Sequence, residues 1–147
     1  MKGLFKYLKK KEYEKLLGIM KEIKAKPGKV IVEEGSTKRE MFYIVSGEAE
    51  VISEKAGEPL VLATLGEGSF FGEIGLFLRV PRTATVRAKT DMKLLRITPP
   101  ILRKIEQLFP ELAVKIYRAL VEELSKRLAK TTMEVETYHI LYSAVSE

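Results

Sequence analysis

Hydrophobic residues along this chain follow two different spacings, and the change between them marks its architecture. In residues 11–25, KEYEKLLGIMKEIKA, Tyr13, Leu16, Leu17, Met20 and Ile23 share one face at helical intervals, with lysine and glutamate on the other. That is the period of an amphipathic helix, which Pro27-Gly28 is expected to stop. From Lys29 to about Ile97 the period shortens. KVIVEEG, MFYIVSG, EAEVISE, LVLATLGEG, TATVRA and MKLLRI are short, rich in β-branched and aromatic residues, and separated by turns at Glu34-Gly35, Ser46-Gly47, Ala56-Gly57, Gly66-Glu67-Gly68 and Val80-Pro81. Short strands with turns at this spacing form a sandwich or barrel rather than βαβ units. In EAEVIS, alternation puts Ala49 and Val51 on one face and Glu48, Glu50 and Ile52 on the other.

Helical spacing returns at Thr98-Pro99-Pro100 and, after Pro110-Glu111, continues for about thirty residues without glycine or proline. Two apolar stripes run along this last helix. Leu112, Ile116, Ala119 and Leu120 form one, expected to dock on the β body. Val114, Tyr117, Val121, Leu124, Leu128, Thr131, Val135, Tyr138, Tyr142 and Val145 form the other, a heptad seam in which only Thr131 is not apolar. Thirty residues rise roughly 45 Å, longer than a small β body is wide. The seam is therefore expected to meet its copy in a homodimer. The pattern predicts a mainly β fold with flanking helices: a β-roll or jelly roll (double-stranded β-helix) over residues 29–98, an N-terminal helix, and C-terminal helices over 99–145.

Composition narrows the chemistry more than the fold. At 147 residues the chain holds one ordinary domain, and 46% hydrophobic with 31% charged residues describes a globular protein. The absence of cysteine removes disulfides, thiolate metal sites and a cysteine nucleophile, and fits a cytoplasmic setting. His139 is the only histidine, too few for a histidine-rich metal centre, so no metal and no cupin-like enzyme is expected. No apolar run is long enough to span a membrane. The net charge of +6 comes from lysines that alternate with glutamate on helices, the pattern of a solvated surface.

The candidate chemistry lies in GEGSFFGEIGLFLRVPRTATVRA, Gly66 to Ala88. Gly72 and Gly75 flank Glu73 at the start of a short helix-like turn, and Arg82 follows nine residues after Glu73. A glycine-bent turn points backbone N–H groups at one spot and favours an anion. Arg82 could neutralise that anion through its fork of donors, while Glu73 could accept from neutral hydroxyls beside it. A phosphate next to a sugar hydroxyl fits all three features.

These residues carry a resemblance. Pro27-Gly28 with Glu34-Gly35, then FYIVSGEAEV (Phe42–Val51), then FGEIGLF and PRTATVRA within Phe71–Ala88 resemble the cyclic-nucleotide-binding domain of catabolite activator proteins, protein kinase A regulatory subunits and cyclic-nucleotide-gated channels. The resemblance covers roughly residues 10–130 and implies one such domain over 1–147, with a phosphate-binding cassette at 71–88. It implies that Arg82 pairs with the cyclic phosphate and that Glu73 accepts from the ribose 2′-hydroxyl. Gly72, Gly75, Thr83 and Ala84 would lie against phosphate and sugar, and Val51, Leu62, Leu65 and Phe71 would wall the pocket. Thr83 stands where threonine accompanies cGMP or tolerance of both cAMP and cGMP. Thr131 and Thr132 resemble hydroxyl residues that touch the base in catabolite activator proteins.

In the transcription-factor branch a winged helix-turn-helix follows the long helix, and none follows before Glu147. The expected protein is thus a non-enzymatic sensor of cAMP or cGMP with no cofactor, no direct DNA binding, and an unidentified protein effector. The alternative is a β-roll oligomerisation module that no longer binds nucleotide.

Overall fold

A computed structural model describes residues 2–146; the two ends of the expected domain, Met1 and Glu147, lie outside the described residues. A 3-10 turn, Gly3–Phe5, leads to α1, Lys10–Leu17. Eight strands follow: β1 Lys21–Ala25, β2 Val30–Val32, β3 Met41–Ser46, β4 Ala49–Ser53, β5 Leu60–Leu65, β6 Phe70–Phe71, β7 Thr85–Ala88 and β8 Met92–Ile97. The short helix α2, Glu73–Phe77, sits between β6 and β7, and α3, Pro99–Leu108, and α4, Pro110–Ser146, close the chain. Two four-stranded antiparallel sheets, ordered β1-β8-β3-β6 and β2-β7-β4-β5, form the expected jelly roll.

The first sheet is covered on both faces, which explains why MFYI reads as an unbroken apolar run. Phe42, Ile44, Phe71 and Leu94 join Val32, Ala49 and Val86 between the sheets. Their neighbours Met41, Tyr43, Phe70, Leu95 and Ile97 point the other way, into a core shared with α1, α3 and α4. Period-2 alternation thus feeds two cores from one strand. The outer face of the second sheet is bare, and along most of its edge strand β5 neither face is covered, so Leu60, Val61 and Leu62 are all more than half exposed.

One expected element is corrected. The helix anticipated over 11–25 ends at Leu17, where Gly18 caps it and both Ile19 and Met20 donate to the Leu16 carbonyl. Lys21–Ala25 is instead an edge strand, paired residue by residue with 92–96 of β8. Ladder bonds to β8 override the helical preference of lysine and glutamate, and Ile23 and Ala25 meet the inter-sheet core. The two-residue strand β6 also escaped the sequence pattern.

Helix α4 has 37 residues and is about 55 Å long. Leu112, Ile116, Ala119 and Leu120 are buried against the body, as expected. The seam divides: Tyr117 and Leu124 pack partly on the same core, whereas Val114, Val121, Leu128, Val135, Tyr138, Tyr142 and Val145 are exposed. No helix among the described residues is long and apolar enough to cross a membrane. The N-terminal segment grips α4. Leu4 and Phe5 are fully buried, and Glu122 accepts a hydrogen bond from Tyr7 while pairing with Lys6 at 2.8 Å. Those bonds, Lys6 first and Tyr7 next, pull the Glu122 carboxyl down to about 2.

Two outcomes follow. Ile44→Ala, at a fully buried position, should cost about 2–5 kcal/mol in urea unfolding, and Leu62→Ala, 55% exposed, should stay within about 0.5 kcal/mol. Because folding lowers the Glu122 pKa, its contribution is complete above the ordinary carboxylate range and is lost as the pH falls toward 2. The stability difference between wild type and Glu122→Gln should therefore be constant above about pH 5 and close on acidification, followed by circular dichroism.

Candidate functional site

The turn after β6 has a backbone that only glycine accepts easily. Gly72 has φ 86°, and a Cβ there would come within 2.7 Å of the Glu40 carbonyl oxygen. Gly72 is the N-cap of α2, so the N–H groups of the first turn face away from internal partners. Gly75 lies in that first turn, and a side chain on it would run into the Arg82 guanidinium. The loop carrying Arg82 is fixed by its own backbone: Arg82 N–H donates to the Ser36 carbonyl and its carbonyl accepts from Gly35, each at 2.8 Å.

Arg82 and Glu73 are two of the three buried polar residues among those described, the third being Thr85. The Arg82 guanidinium donates to the Gly72 carbonyl at 2.8 Å and to the Glu40 carbonyl. Burial pushes Arg82 down from the ordinary arginine value, and the Glu40 and Glu73 carboxylates partly oppose that. These two bonds leave other donors of its fork for a ligand. Glu73 does not pair with Arg82. Its partner is Arg127 of α4, at 3.2 Å.

Arg127 is the functional candidate that sequence reasoning missed. It also donates to the Phe70 carbonyl at 3.0 Å, stacks over the Phe70 ring at 4.5 Å, and pairs with Glu123 at 3.3 Å. The signal was present: extending the docking stripe Ile116-Leu120 by three and four residues reaches Glu123 and Arg127. Two opposite charges on a stripe otherwise buried point to a polar partner on the body.

These groups surround a cavity of about 390 Å³, within the range of small-ligand sites. Of the expected residues, Gly72, Glu73, Gly75, Arg82, Thr83 and Ala84 all line it, as do Val51, Leu65 and Phe71. Leu62 does not; it lies on the outer side of the edge strand β5, which has no sheet to cover it. Thr131 and Thr132 are also outside, exposed on α4 one turn beyond Arg127. The lining adds Val32, Ser69, Ile74, Pro81 and Val86, with Glu123 and Arg127 from the helix. The cavity therefore has a cationic floor, a carboxylate to one side, and apolar strand residues around the rest.

A family model, described as the cyclic nucleotide-binding domain, matches residues 22–107. The chain belongs to the cyclic nucleotide-binding domain family. It is 42% identical over 82 residues to a cAMP-dependent protein kinase regulatory subunit of Yarrowia lipolytica, covering 56% of this chain and 21% of that protein. It is 31% identical over 107 residues to the cAMP-activated global transcriptional regulator CRP of Salmonella typhimurium, covering 71% of this chain and 49% of that one. The chain thus spans about a fifth to a half of the length of these relatives. Among solved structures, the Thermus thermophilus catabolite activator protein superposes with a TM-score of 0.79 at 25% identity, over 90% of this chain and 61% of its own. The jelly roll is the fold of that family.

The two cassette glycines should respond differently to alanine. Gly72→Ala forces a left-handed residue against a carbonyl oxygen, so thermal unfolding should show a loss of about 1–3 kcal/mol. Gly75→Ala instead meets the Arg82 guanidinium, which moves only by giving up its bonds to the Gly72 and Glu40 carbonyls. It should shift that guanidinium, visible in its Nε–H resonance.

Proposed function

We propose that this chain is a sensor of a cyclic nucleotide, cAMP or cGMP, held in the 390 Å³ cavity. The observation that carries the reading is the placement of a buried Arg82 guanidinium and a buried Glu73 carboxylate on the wall of one cavity, in a domain of this family. The cyclic phosphate, a monoanion, lies against Arg82 and the N–H groups at the start of α2. Buried without such an anion, Arg82 is balanced only by carbonyl dipoles and nearby carboxylates. The ribose 2′-hydroxyl donates to Glu73. Val51, Leu65 and Val86 offer the base an apolar wall, and Thr83 a hydroxyl.

Glu73 also holds Arg127, so a ligand that settles on Glu73 touches α4 through one ion pair. Binding shifts the population of α4 positions. The exposed seam through Val114, Val121 and Leu128 is read as a homodimer contact, which also gives Thr131 and Thr132 a route to a base edge. The output is read by a protein effector whose identity lies beyond this chain. The module acts as a regulator rather than an enzyme, in line with the names of its relatives.

Calorimetry with cAMP and cGMP tests the reading. Wild type should release or absorb heat on binding, and Arg82→Ala should weaken binding about tenfold to hundredfold, the worth of charged hydrogen bonds. No binding at millimolar ligand would favour the oligomerisation module instead. In light scattering the wild type should be a dimer and Val121→Lys/Leu128→Lys a monomer; a monomeric wild type would return the seam to the single chain.

A further inference from the structure

The contacts between the N-terminal segment and α4 sit one residue from the helix turn that reaches the cavity. Tyr7 donates its hydroxyl to Glu122, at 2.6 Å from Oε1, and Lys6 pairs with the same carboxylate at 2.8 Å. The Arg118 guanidinium lies 5.0 Å from the centre of the Tyr7 ring and 3.4 Å from Glu122. Glu123, the next residue, pairs with Arg127, and Arg127 with Glu73. Beyond Arg127 every described residue of α4 up to Val145 is exposed. Arg127 thus belongs to the last turn that the body holds.

At 100° per residue, Glu122 and Arg127 project about 140° apart around the helix. The turn is therefore gripped from two sides, by the cassette through Arg127 and by the N-terminal segment through Glu122. Between the two grips lies a small cavity of about 210 Å³, lined by Lys2, Gly3 and Lys6 on one side and Glu123 and Arg127 on the other. Leu4 and Phe5 pack in one core with Ile116 and Leu120 of α4, and beside the unfilled space the contacts of Tyr7 and Lys6 with Glu122 add a second, polar hold. Leu4 and Phe5, both fully buried, anchor the segment that makes those contacts.

We propose that Tyr7 and Glu122 are positioning residues for the cavity: their contact sets the height and rotation of the α4 turn from which Arg127 reaches Glu73. The proposal rests on the cyclic-nucleotide reading. It assigns an affinity-setting role to a segment that never touches the ligand. Loss of the contact lets the turn drift, the Arg127–Glu73 pair lengthens, and Glu73 is held less well for the ribose hydroxyl.

The test is calorimetry with cAMP and cGMP on the full chain. Tyr7→Phe removes one hydroxyl and keeps the ring, and Glu122→Gln removes the charge. Each should weaken binding about threefold to tenfold. In an Arg127→Ala background the Tyr7→Phe effect should vanish, because the contact works through Arg127. Lys115→Gln breaks another ion pair between α4 and the body, to Glu12 of α1, three turns before Arg127. It should leave affinity unchanged. Amide exchange at residues 122–128 should quicken in Tyr7→Phe and not in Lys115→Gln. Unchanged affinity in both Tyr7→Phe and Glu122→Gln, additive effects with Arg127→Ala, or an equal loss in Lys115→Gln would overturn the proposal while leaving the nucleotide reading intact. A wild type that binds neither nucleotide would overturn both.

Discussion

A guanidinium taken out of water must find hydrogen-bond partners, and in this fold that demand organises the cassette. Arg82 reaches the carbonyls of Gly72 and Glu40, so the cassette turn and the start of β3 are tied by one side chain. Planarity of the group requires a flat floor, and Gly75 supplies it by having no side chain. Gly72 must turn left-handed to present its carbonyl. The Arg82 loop must in turn be pinned to the Gly35-Ser36 turn. Several glycines thus owe their place to one charge.

The two-sheet body was legible because alternation survives translation into burial. Strand β3 shows an apolar run since both its faces are covered, and β4 pairs with β5 over its whole length and with β7 from Ala49 to Ile52. What misled was β1, whose KEIKA has the composition of a surface helix. Its strand conformation comes from a partner about seventy residues away, and local sequence carries no record of β8. The two residues of β6 are too few for any period to register.

The site divides in the same manner. Glu73, Arg82 and their glycines lie within one short stretch, where chemistry and spacing speak together. Arg127 is 54 residues from Glu73, and only the docking of α4 joins them. Leu62 shares a strand with the cavity-lining Leu65, yet the bare outer face of an edge strand leaves it in water. Thr131 and Thr132 follow the right helix but fall one turn past the last held residue. Contacts that depend on a second molecule leave no trace in one chain's burial.

The uninterrupted helix α4 has the geometry of a lever. Its pivot would be the turn at Arg127, and eighteen residues of exposed helix extend from there to Val145. At 1.5 Å per residue this arm is about 27 Å long, so a tilt of roughly 5° at the pivot sweeps its tip by about 2 Å. No glycine or proline interrupts the arm to absorb that motion. A displacement too small to matter inside the cavity is thereby enlarged to the size of a side-chain contact at the far end.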